Sequence, residues 1–395
     1  MSEYNIPYPW VETLSKSKNA YYYFNIKTKF TCWKVENQNG WGWFIKKDNN
    51  KYYLNISNGK SYTEKEYLDE LEVEKVASHY NKREDTKAIE REQSDIFHLR
   101  NLNNWIKSCA IIQYFPLHGM KVIDFACGKG GDLKKWTEQH IHDYVGIDIA
   151  ASSVTEAMNR YKKMKLPFTA RFMSADLGKV DLNPIFNNEL FDCVSCQFAF
   201  HYFFQSESRL DTALHSISGL LAEGGIFICT LSDGNSVSRL LRGYGKTEEN
   251  KRVWKNSICK IEMNLDQYSR LYNNKNDPYG ISYDFTLSGV VEECTEYITF
   301  PAVMEQKAKE NDLEVLYYKN CQIFADECIR DDRYRSLCRT MYVFNNQGKI
   351  TDDEWESCQV YNVMILKKKG IFKGYNNDIR GKPSNEIKET DIQHY

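Results

Sequence analysis

The sequence has no excess of charge of either sign. Across its 395 residues, 52 lysines and arginines stand against 54 aspartates and glutamates, which leaves a formal net charge of −2. Overall charge therefore gives no evidence for or against a nucleic-acid partner. Any contact with RNA must come from a local basic groove.

Long apolar runs are also missing. The first residues, MSEYNIPYPWVE, have neither the basic start nor the apolar core of a signal peptide. No stretch has the roughly 20 apolar residues of a membrane-spanning helix. We therefore expect an intracellular protein without membrane contact.

The 12 cysteines are expected to be buried thiols, because disulfides seldom persist in a reducing compartment. Cys193 and Cys196 form a CxxC pair inside the apolar run FDCVSCQFAF, but no second pair of ligands lies nearby. We expect no metal site.

The sequence does contain enough apolar material for a sizeable core, with 42% hydrophobic and 14% aromatic residues. Aromatic residues cluster near the start, where IPYPW, YYYFN and TCW follow one another between polar turns. Such short runs predict a small antiparallel sheet. Over residues 5–38 the pattern resembles a WW domain, on Pro7, Trp10, the run 22–25 and Trp33.

A weaker second WW-like copy is predicted over residues 39–66. Its positions fall in the same order, but Thr63 stands where the second tryptophan belongs, and we interpret this copy as structural. The matching residues are Trp43, Tyr52, Tyr53, Asn55 and Gly59.

The WW resemblance implies a peptide-binding groove formed by Tyr23 and Trp33. Extended proline-containing peptides suit such grooves because they are already ordered before binding. The phosphorylated repeat tail of RNA polymerase II is the candidate partner, with Lys16 and Lys18 as phosphate contacts.

The rest of the chain divides by texture. Residues 67–90 are dense in charge and predict an exposed helix or linker. From Ile96 onward, apolar residues at helical spacing predict an amphipathic helix that opens a large domain over residues 91–370. Residues 371–395 are polar, and we expect them to be a disordered tail.

Short apolar strands alternate with helical stretches after Lys121. The predicted strands are KVIDF, YVGID, FTARFMSAD, FDCVSCQF, GGIFICTLSD and, near the end, QVYNVMILKKK. This alternation is typical of βαβ units. It predicts an α/β fold with a mostly parallel sheet covered on both faces.

The segment DFACGKGGD (124–132) lies where the first of these strands turns into a helix. Gly128 allows the sharp turn and the close approach of a ligand. A dinucleotide fingerprint would need glycine at Leu133, so a nicotinamide-dependent dehydrogenase is disfavoured.

Two acids follow the next two strands. Asp148 stands where a carboxylate can bind a ribose diol, and Asp176 stands within reach of an adenine amino group. With the glycine turn they fit S-adenosylmethionine, which has no phosphate to cradle. Asp148→Ala is expected to abolish cofactor binding and to leave the fold intact, because it removes the ribose acceptor but no core volume.

With these residues placed, residues 90–370 resemble the eukaryotic mRNA cap guanine-N7 methyltransferase family. The stretches that carry the resemblance are HLRNLNNWIKS (98–108), DFACGKGGDLKKW (124–136), CQFAFHYFF (196–204), YDFTLSGVVEECTEYITFP (283–301) and EWESCQVYNV (354–363). The implied fold is that of a class I, Rossmann-like methyltransferase, and the family implies the nucleus. No dense basic cluster stands out as an import signal.

The resemblance implies two sets of site residues. Residues around the cofactor would be Lys107, Ala126, Gly128, Asp148, Asp176, Gln197 and Tyr202, with Lys107 on the methionine carboxylate and Ala126 where the family commonly has glycine. Residues around the cap would be Asn103, Asn104, Lys129, Lys135, Arg160, His201, Tyr202, Glu296 and Tyr361.

The chemistry of the implied reaction needs no acid or base. Guanine N7 carries a lone pair and no proton, so attack on a sulfonium methyl group requires alignment and electrostatics. We expect His201, Tyr202 and Glu296 to position the base.

Several alternatives stay open at this stage. Taken singly, each lysine could be a solvated surface charge, His201 a core histidine, and Tyr202 and Tyr361 core aromatics. The chain could methylate another RNA position or a small molecule, or it could be a non-enzymatic scaffold with WW-like modules.

Overall fold

The computed structural model describes residues 5–82, 94–115, 121–273, 277–345, 347–371 and 388–395. The chain forms two compact units, Met1–Val76 and Ala77–Tyr395, and the division falls within helix α1 (Glu64–Lys82). Among the described helices, none has the length and apolar character that a bilayer crossing requires.

The first unit contains a six-stranded antiparallel sheet in which each strand pairs with the next along the chain. Its strands are β1 (Trp10–Ser15), β2 (Ala20–Asn25), β3 (Thr31–Lys34), β4 (Trp41–Ile45), β5 (Lys51–Asn55) and β6 (Ser61–Tyr62). The antiparallel sheet predicted from the aromatic runs is confirmed.

The same local geometry occurs twice in this sheet. Trp10 lies opposite Asn25 in the first half, and Trp41 lies opposite Asn55 in the second. Each asparagine side chain accepts a backbone N–H from two residues ahead, which is an Asx turn. The second copy is therefore aligned on Trp41, and the predicted alignment on Trp43 is wrong.

Thr63, the residue in place of the second tryptophan, starts helix α1. Its Oγ1 accepts the Glu66 N–H at 3.4 Å, while its own N–H donates to the Glu66 carboxylate at 2.7 Å. This reciprocal pair is a capping box. Tyr67 of α1 then stacks on Tyr53 with ring centroids 4.0 Å apart. The second copy thus packs against helix α1.

Tyr23 does not line a groove. It is fully buried, and its hydroxyl accepts the Gly40 N–H at 3.0 Å. Neighbouring residues of a strand point to opposite faces. Tyr22 therefore lies on the other face, where its ring meets Trp33 edge to face with centroids 6.0 Å apart. The tyrosine that faces Trp33 is therefore Tyr22, and the prediction that Tyr23 does so is wrong.

The second unit is an α/β domain, as predicted. Its strands are β7 (Lys121–Phe125), β8 (Asp143–Asp148), β9 (Thr169–Ser174), β10 (Phe191–Gln197), β11 (Leu221–Ser232), β12 (Lys246–Glu248), β13 (Lys251–Lys255), β14 (Cys259–Asn264), β15 (Ser282–Leu287), β16 (Val291–Tyr297), β17 (Leu313–Asn320), β18 (Tyr361–Lys368) and β19 (Gln393–His394).

Its helices are α2 (Phe97–Tyr114), α3 (Leu133–Glu138), α4 (Ala151–Met164), α5 (Asn183–Phe186), α6 (Glu207–Leu220), α7 (Gly234–Gly243), α8 (Leu265–Asn273), α9 (Pro301–Glu310), α10 (Cys321–Cys328), α11 (Asp332–Thr340) and α12 (Asp352–Cys358). A 3₁₀ turn covers Phe200–Gln205. The amphipathic helix predicted from Ile96 is α2.

The main sheet has eight strands in the order β17-β18-β11-β10-β7-β8-β9-β19. The pairs from β11 through to β19 are parallel, and β18 is antiparallel to both of its neighbours. Separate buried clusters cover the two faces. This is the two-sided sheet that the βαβ alternation predicts.

All 12 cysteines are buried free thiols, which confirms that expectation. Cys193 and Cys196 both lie on β10, but they belong to the cores on opposite faces of the sheet. Strand residues three apart point to opposite faces. The CxxC pair therefore cannot bind a shared metal ion.

A second sheet in this unit was not predicted. It has five antiparallel strands, β12 to β16. Its strand β15 alternates strictly between half-buried and buried residues, which is the pattern of a half-exposed strand. This sheet carries Glu296 on β16.

The prediction of a disordered tail over residues 371–395 is wrong for its last part. Residues 388–395 include β19, which pairs in parallel with β9, and Ile392 is only 6% exposed. Pairing covers the backbone of β9, which would otherwise be an edge strand. Residues 372–387 lie outside the described residues, as do residues 83–90 of the predicted linker.

Candidate active site

The candidate residues gather at one edge of the main sheet. Strands β7 to β11 are parallel, so their carboxyl ends share an edge. The glycine turn follows β7, Asp148 ends β8, Asp176 follows β9, and Gln197 ends β10. Ligands of open α/β sheets bind in the crevice at this edge.

The glycine turn is held by Asp148. Gly128 has a left-handed backbone (φ 52°), and its N–H donates to Asp148 Oδ2 at 2.8 Å. The other oxygen, Oδ1, accepts the Ala150 N–H at 2.8 Å. Burial raises the pKa of the Asp148 carboxyl. Asp148 therefore fixes both the glycine turn after β7 and the loop that follows β8.

The turn leaves room for a ligand. A Cβ atom added at Gly128 would meet no atom within 4 Å, so open space lies over the turn. The Asp148 carboxylate beside it has lone pairs beyond those that backbone N–H groups use. A glycine turn with an adjacent carboxylate fits the adenosine half of S-adenosylmethionine.

Ala126 also has a left-handed backbone, with φ 53°. Its methyl group crowds its own backbone there, because only glycine enters this region without a penalty. Alanine in place of the family's common glycine therefore adds backbone strain at this position.

A buried carboxylate joins two of the predicted lysines. Asp132 Oδ1 lies 2.8 Å from Lys107 Nζ and 2.7 Å from Lys135 Nζ, and Lys135 also donates to Asn104 Oδ1 at 3.2 Å. Burial alone would raise the pKa of Asp132, but the two ammonium groups hold it below its usual range. Burial lowers the pKa of Lys107.

Sequence reasoning assigned Lys107 to the cofactor and Lys135 to the cap, but it gave no role to Asp132. Its place in the GKGGD segment was the available signal. The one carboxylate lies between two ammonium groups, and the neighbouring buried Asp124, whose pKa is raised to about 7 by burial, also acts on Lys107.

Phe198 is a second residue that the sequence did not single out. Lys107 Nζ lies 5.8 Å from its ring centroid, and the ring meets Tyr361 edge to face at 4.8 Å. Its backbone is left-handed (φ 57°) and is held by a hydrogen bond from its N–H to Thr230 Oγ1 at 2.8 Å. Strained backbone of this kind is concentrated at functional sites.

Glu296 is buried in a cluster of polar and aromatic side chains. Its Oε2 accepts the Tyr283 hydroxyl at 2.6 Å, and its Oε1 lies 3.5 Å from His201 Nε2. The other ring nitrogen, Nδ1, accepts the Ser232 N–H at 3.3 Å. A neutral imidazole that accepts at Nδ1 carries its proton on Nε2, and Nε2 faces the carboxylate without a hydrogen bond among the described residues.

Tyr202 and Tyr361 complete this cluster. The Tyr202 ring lies 4.6 Å from His201, and its hydroxyl lies 3.2 Å from Cys294 Sγ. Burial raises the pKa of both tyrosines well above the usual range, and the charge of Glu296 adds to this. Both stay neutral phenols. The predicted cap residues His201, Tyr202, Glu296 and Tyr361 thus come together.

Other predicted residues are engaged in separate contacts. Asp176 forms a two-pronged ion pair with Arg209, with distances of 2.6 and 3.1 Å. Gln197 bonds to Thr230 and to the Ile228 carbonyl. Each contact fixes its side chain at the carboxyl edge.

The remaining cap candidates lie on two helices. Lys129 pairs with Glu156 of α4 at 2.9 Å, and Arg160 is a half-buried residue of the same helix. Asn103 of α2 has a buried Oδ1 without a hydrogen-bond partner among the described residues. Buried polar atoms without a partner are rare in proteins, and a bound ligand or water is a common explanation.

Asp148→Ala is expected to weaken binding of S-adenosylmethionine at least tenfold, because a hydrogen bond to a charged group contributes about 1.5–3 kcal/mol. The sequence-based expectation that the fold stays intact is revised. Two buried N–H groups lose their acceptor, so Tm should also fall. Calorimetry and a thermal melt measure the two effects. Asp143→Ala, at the other end of β8, is the control and should keep the affinity; unchanged affinity in Asp148→Ala would rule out the ribose role.

Ala126→Gly should stabilise the protein. Left-handed backbone costs alanine about 1–2 kcal/mol, while glycine adds about 0.4–1 kcal/mol of unfolded-state entropy. A small rise in Tm with unchanged cofactor affinity is expected. Ala213→Gly, within helix α6, is the matched control and should lower Tm, since glycine costs about 1 kcal/mol in a helix. A fall in Tm for Ala126→Gly would contradict the strain.

Comparisons with known proteins show the family to which this chain belongs. The model of the mRNA (guanine-N(7))-methyltransferase domain matches residues 63–369. The mRNA cap guanine-N(7) methyltransferase 1 of Arabidopsis thaliana is 37% identical over 321 residues, which cover 78% of this chain and 85% of that protein. The mRNA cap guanine-N(7) methyltransferase of Schizosaccharomyces pombe is 33% identical over 304 residues, covering 75% and 82%.

Among solved structures, an S-adenosylmethionine-dependent methyltransferase from Clostridium acetobutylicum is 15% identical, with a TM-score of 0.41, covering 69% of this chain and 92% of that one. The family match spans the glycine turn, the lysine cluster and the Glu296 cluster alike. The chain belongs to the mRNA (guanine-N(7))-methyltransferase family.

Proposed function

We propose that the protein transfers the methyl group of S-adenosylmethionine to N7 of the guanosine cap of mRNA. The observation that carries this proposal is Glu296, a carboxylate that is 4% exposed. It is bonded by Tyr283 and faced by His201 at 3.5 Å. Burying a charge is costly, and the two neighbours alone do not fill its four acceptor positions.

A guanine base fits this unfilled capacity. Its N1–H and exocyclic amine are adjacent donors that a carboxylate can accept together, whereas adenine offers no such pair. Methylation at N7 makes the base cationic and strengthens both donors. The contact to Glu296 therefore improves as the reaction proceeds, which is the condition for catalysis by binding.

The other residues of the site would bind and orient the cofactor and the cap. S-adenosylmethionine, when bound, supplies an electrophilic methyl group. Asp148 and the Gly128 turn would hold its adenosine half, and Lys107 its carboxylate. Lys135, beside Asp132, offers positive charge to the triphosphate bridge of the cap. Neutral phenols at Tyr202 and Tyr361 enclose the base without competing for the methyl group.

Glu296→Gln should lower kcat/KM for GpppG-capped RNA about tenfold to a hundredfold, since a bidentate base contact contributes roughly 1–3 kcal/mol. Glutamine keeps the shape but presents a donor where two acceptors are needed. The affinity for S-adenosylmethionine should stay the same. A radiolabelled methyl-transfer assay and calorimetry measure the two.

Glu314→Gln, at an exposed position of β17, is the matched control and should have wild-type kinetics. Wild-type activity of Glu296→Gln would contradict the guanine-binding role. Equal methylation of an adenosine cap by the wild-type protein would contradict the cap assignment.

We propose further that the first unit binds a proline-containing phosphopeptide such as the phosphorylated repeat tail of RNA polymerase II. Residues 5–63 contain nine lysines against three acidic residues, so this part of the chain attracts anions although the whole does not. We also propose a nuclear location, because the mRNA substrate is made there.

An open groove of about 1020 Å³ supports this second proposal. Trp33, Trp43 and Lys18 are among the residues that line it, and Tyr22 packs against Trp33 beside it. Aromatic walls suit an extended proline-containing peptide, and Lys18 is placed to meet a phosphate. In the second copy, Lys51 lies over the Trp43 and Tyr53 rings at 4.9 and 4.8 Å.

Tyr22→Ala should weaken binding of a phosphorylated tail peptide about tenfold, the usual loss at an interface hot spot. Calorimetry on the full chain measures it, with the unphosphorylated peptide as comparison. Tyr52→Ala, the corresponding residue of the second copy, is the control and should bind normally. Failure of wild-type protein to bind either peptide would leave the sheet with a structural role only.

A further inference from the structure

The last turn of α1 touches the site at two points. It belongs to the second unit, which begins at Ala77. Tyr80 approaches the Glu296 cluster, while Asn81 approaches the start of α4. This turn precedes all the stretches that carried the family resemblance, and the sequence analysis placed it in the charged helix or linker of residues 67–90.

Tyr80 meets the hydroxyl of Tyr202. The two phenol oxygens lie 3.2 Å apart, and Cys294 Sγ lies 3.2 Å from the Tyr202 oxygen on its other side. Tyr202 therefore sits in a short chain of neutral groups, one of which can accept while the other donates. Tyr80 is also close enough to Tyr361 to act on its pKa.

Asn81 fixes the position of this turn. Ser152, in the first turn of α4, donates its N–H to Asn81 Oδ1 at 3.1 Å and its hydroxyl to the same oxygen at 2.8 Å. Ala150, just before α4, is the residue whose N–H Asp148 accepts. The turn that carries Tyr80 is thus anchored next to the loop that holds the ribose carboxylate.

We infer that Tyr80 is a positioning residue of the cap site, which acts by holding the hydroxyl, and hence the ring, of Tyr202 against the base. This inference rests on the proposed function. A ring that can turn about its side-chain bonds loses entropy on binding substrate, and a hydrogen bond at its far end removes that motion beforehand. Tyr80 need not touch the substrate for this effect.

Tyr80 is expected to affect binding of the cap and not binding of the cofactor. Tyr80 shares its hydrogen bond with Tyr202, whose ring lies 4.6 Å from His201 in the Glu296 cluster. Asp148 and the Gly128 turn keep their own hydrogen bonds without it. Loss of the Tyr80 hydroxyl should therefore raise KM for capped RNA and leave the affinity for S-adenosylmethionine unchanged.

The test is a double-mutant cycle of Tyr80→Phe and Tyr202→Phe in the full chain. Tyr80→Phe should lower kcat/KM for GpppA-capped RNA about fivefold, the size of one neutral hydrogen bond, mainly through KM. In the Tyr202→Phe background, Tyr80→Phe should change nothing further, because its partner hydroxyl is already gone. Tyr244→Phe, at a side chain 70% exposed, is the control.

The outcomes separate this inference from the proposed function. Additive effects in the double mutant, or wild-type kinetics for Tyr80→Phe, would overturn the positioning role while wild-type methylation still stands. A Tyr80→Phe protein that binds S-adenosylmethionine more weakly would also overturn it. A wild-type protein that methylates no capped RNA would overturn the proposed function and this inference together.

Discussion

The site depends on the cost of burying carboxylates. Asp132, Asp148 and Glu296 are each less than a tenth exposed, and an unpaired buried carboxylate would take up a proton instead of keeping its charge. Each therefore comes with its own partners: two lysines for Asp132, backbone N–H groups for Asp148, and for Glu296 the Tyr283 phenol, with the His201 ring facing it at 3.5 Å. The partners of each acid lie on different segments of the chain. Each contact therefore fixes the position of a loop relative to the buried acid.

The main sheet and the glycine turn could be predicted because their signals are local. Apolar runs mark β7 and β8, and Asp148 follows directly after one of them. The donors could not be predicted in the same way. Arg209 lies 33 positions along the chain from Asp176, and Tyr283 lies 13 from Glu296. Only the pairing of strands and the packing of helices bring such residues together. The roles of individual site residues stay predictions until the variants are measured.

Register explains one of the two errors in the first unit. Trp41 lies 22 positions before Thr63, close to the 23 positions from Trp10 to Trp33, so the spacing already favoured Trp41 over Trp43. Tyr22 and Tyr23, in contrast, are neighbours on one strand. A shift of one residue moves a side chain to the other face of a sheet, so composition alone could not decide between Tyr22 and Tyr23. Tyr23 serves the core through its bond to Gly40. Thr63 departs from the WW pattern for a different reason, because it caps helix α1.

The burial of every cysteine makes the thiols natural reporters of motion. A thiol that is closed to solvent reacts with an alkylating reagent only when the structure around it opens, so the rate of labelling measures the free energy of that opening. The thiols are distributed over both faces of the main sheet and the small antiparallel sheets. Cys294, in contact with the Tyr202 hydroxyl, lies where substrate would be held. The rate at which Cys294 is alkylated, compared with and without capped RNA, would therefore report local opening of that pocket without any introduced probe.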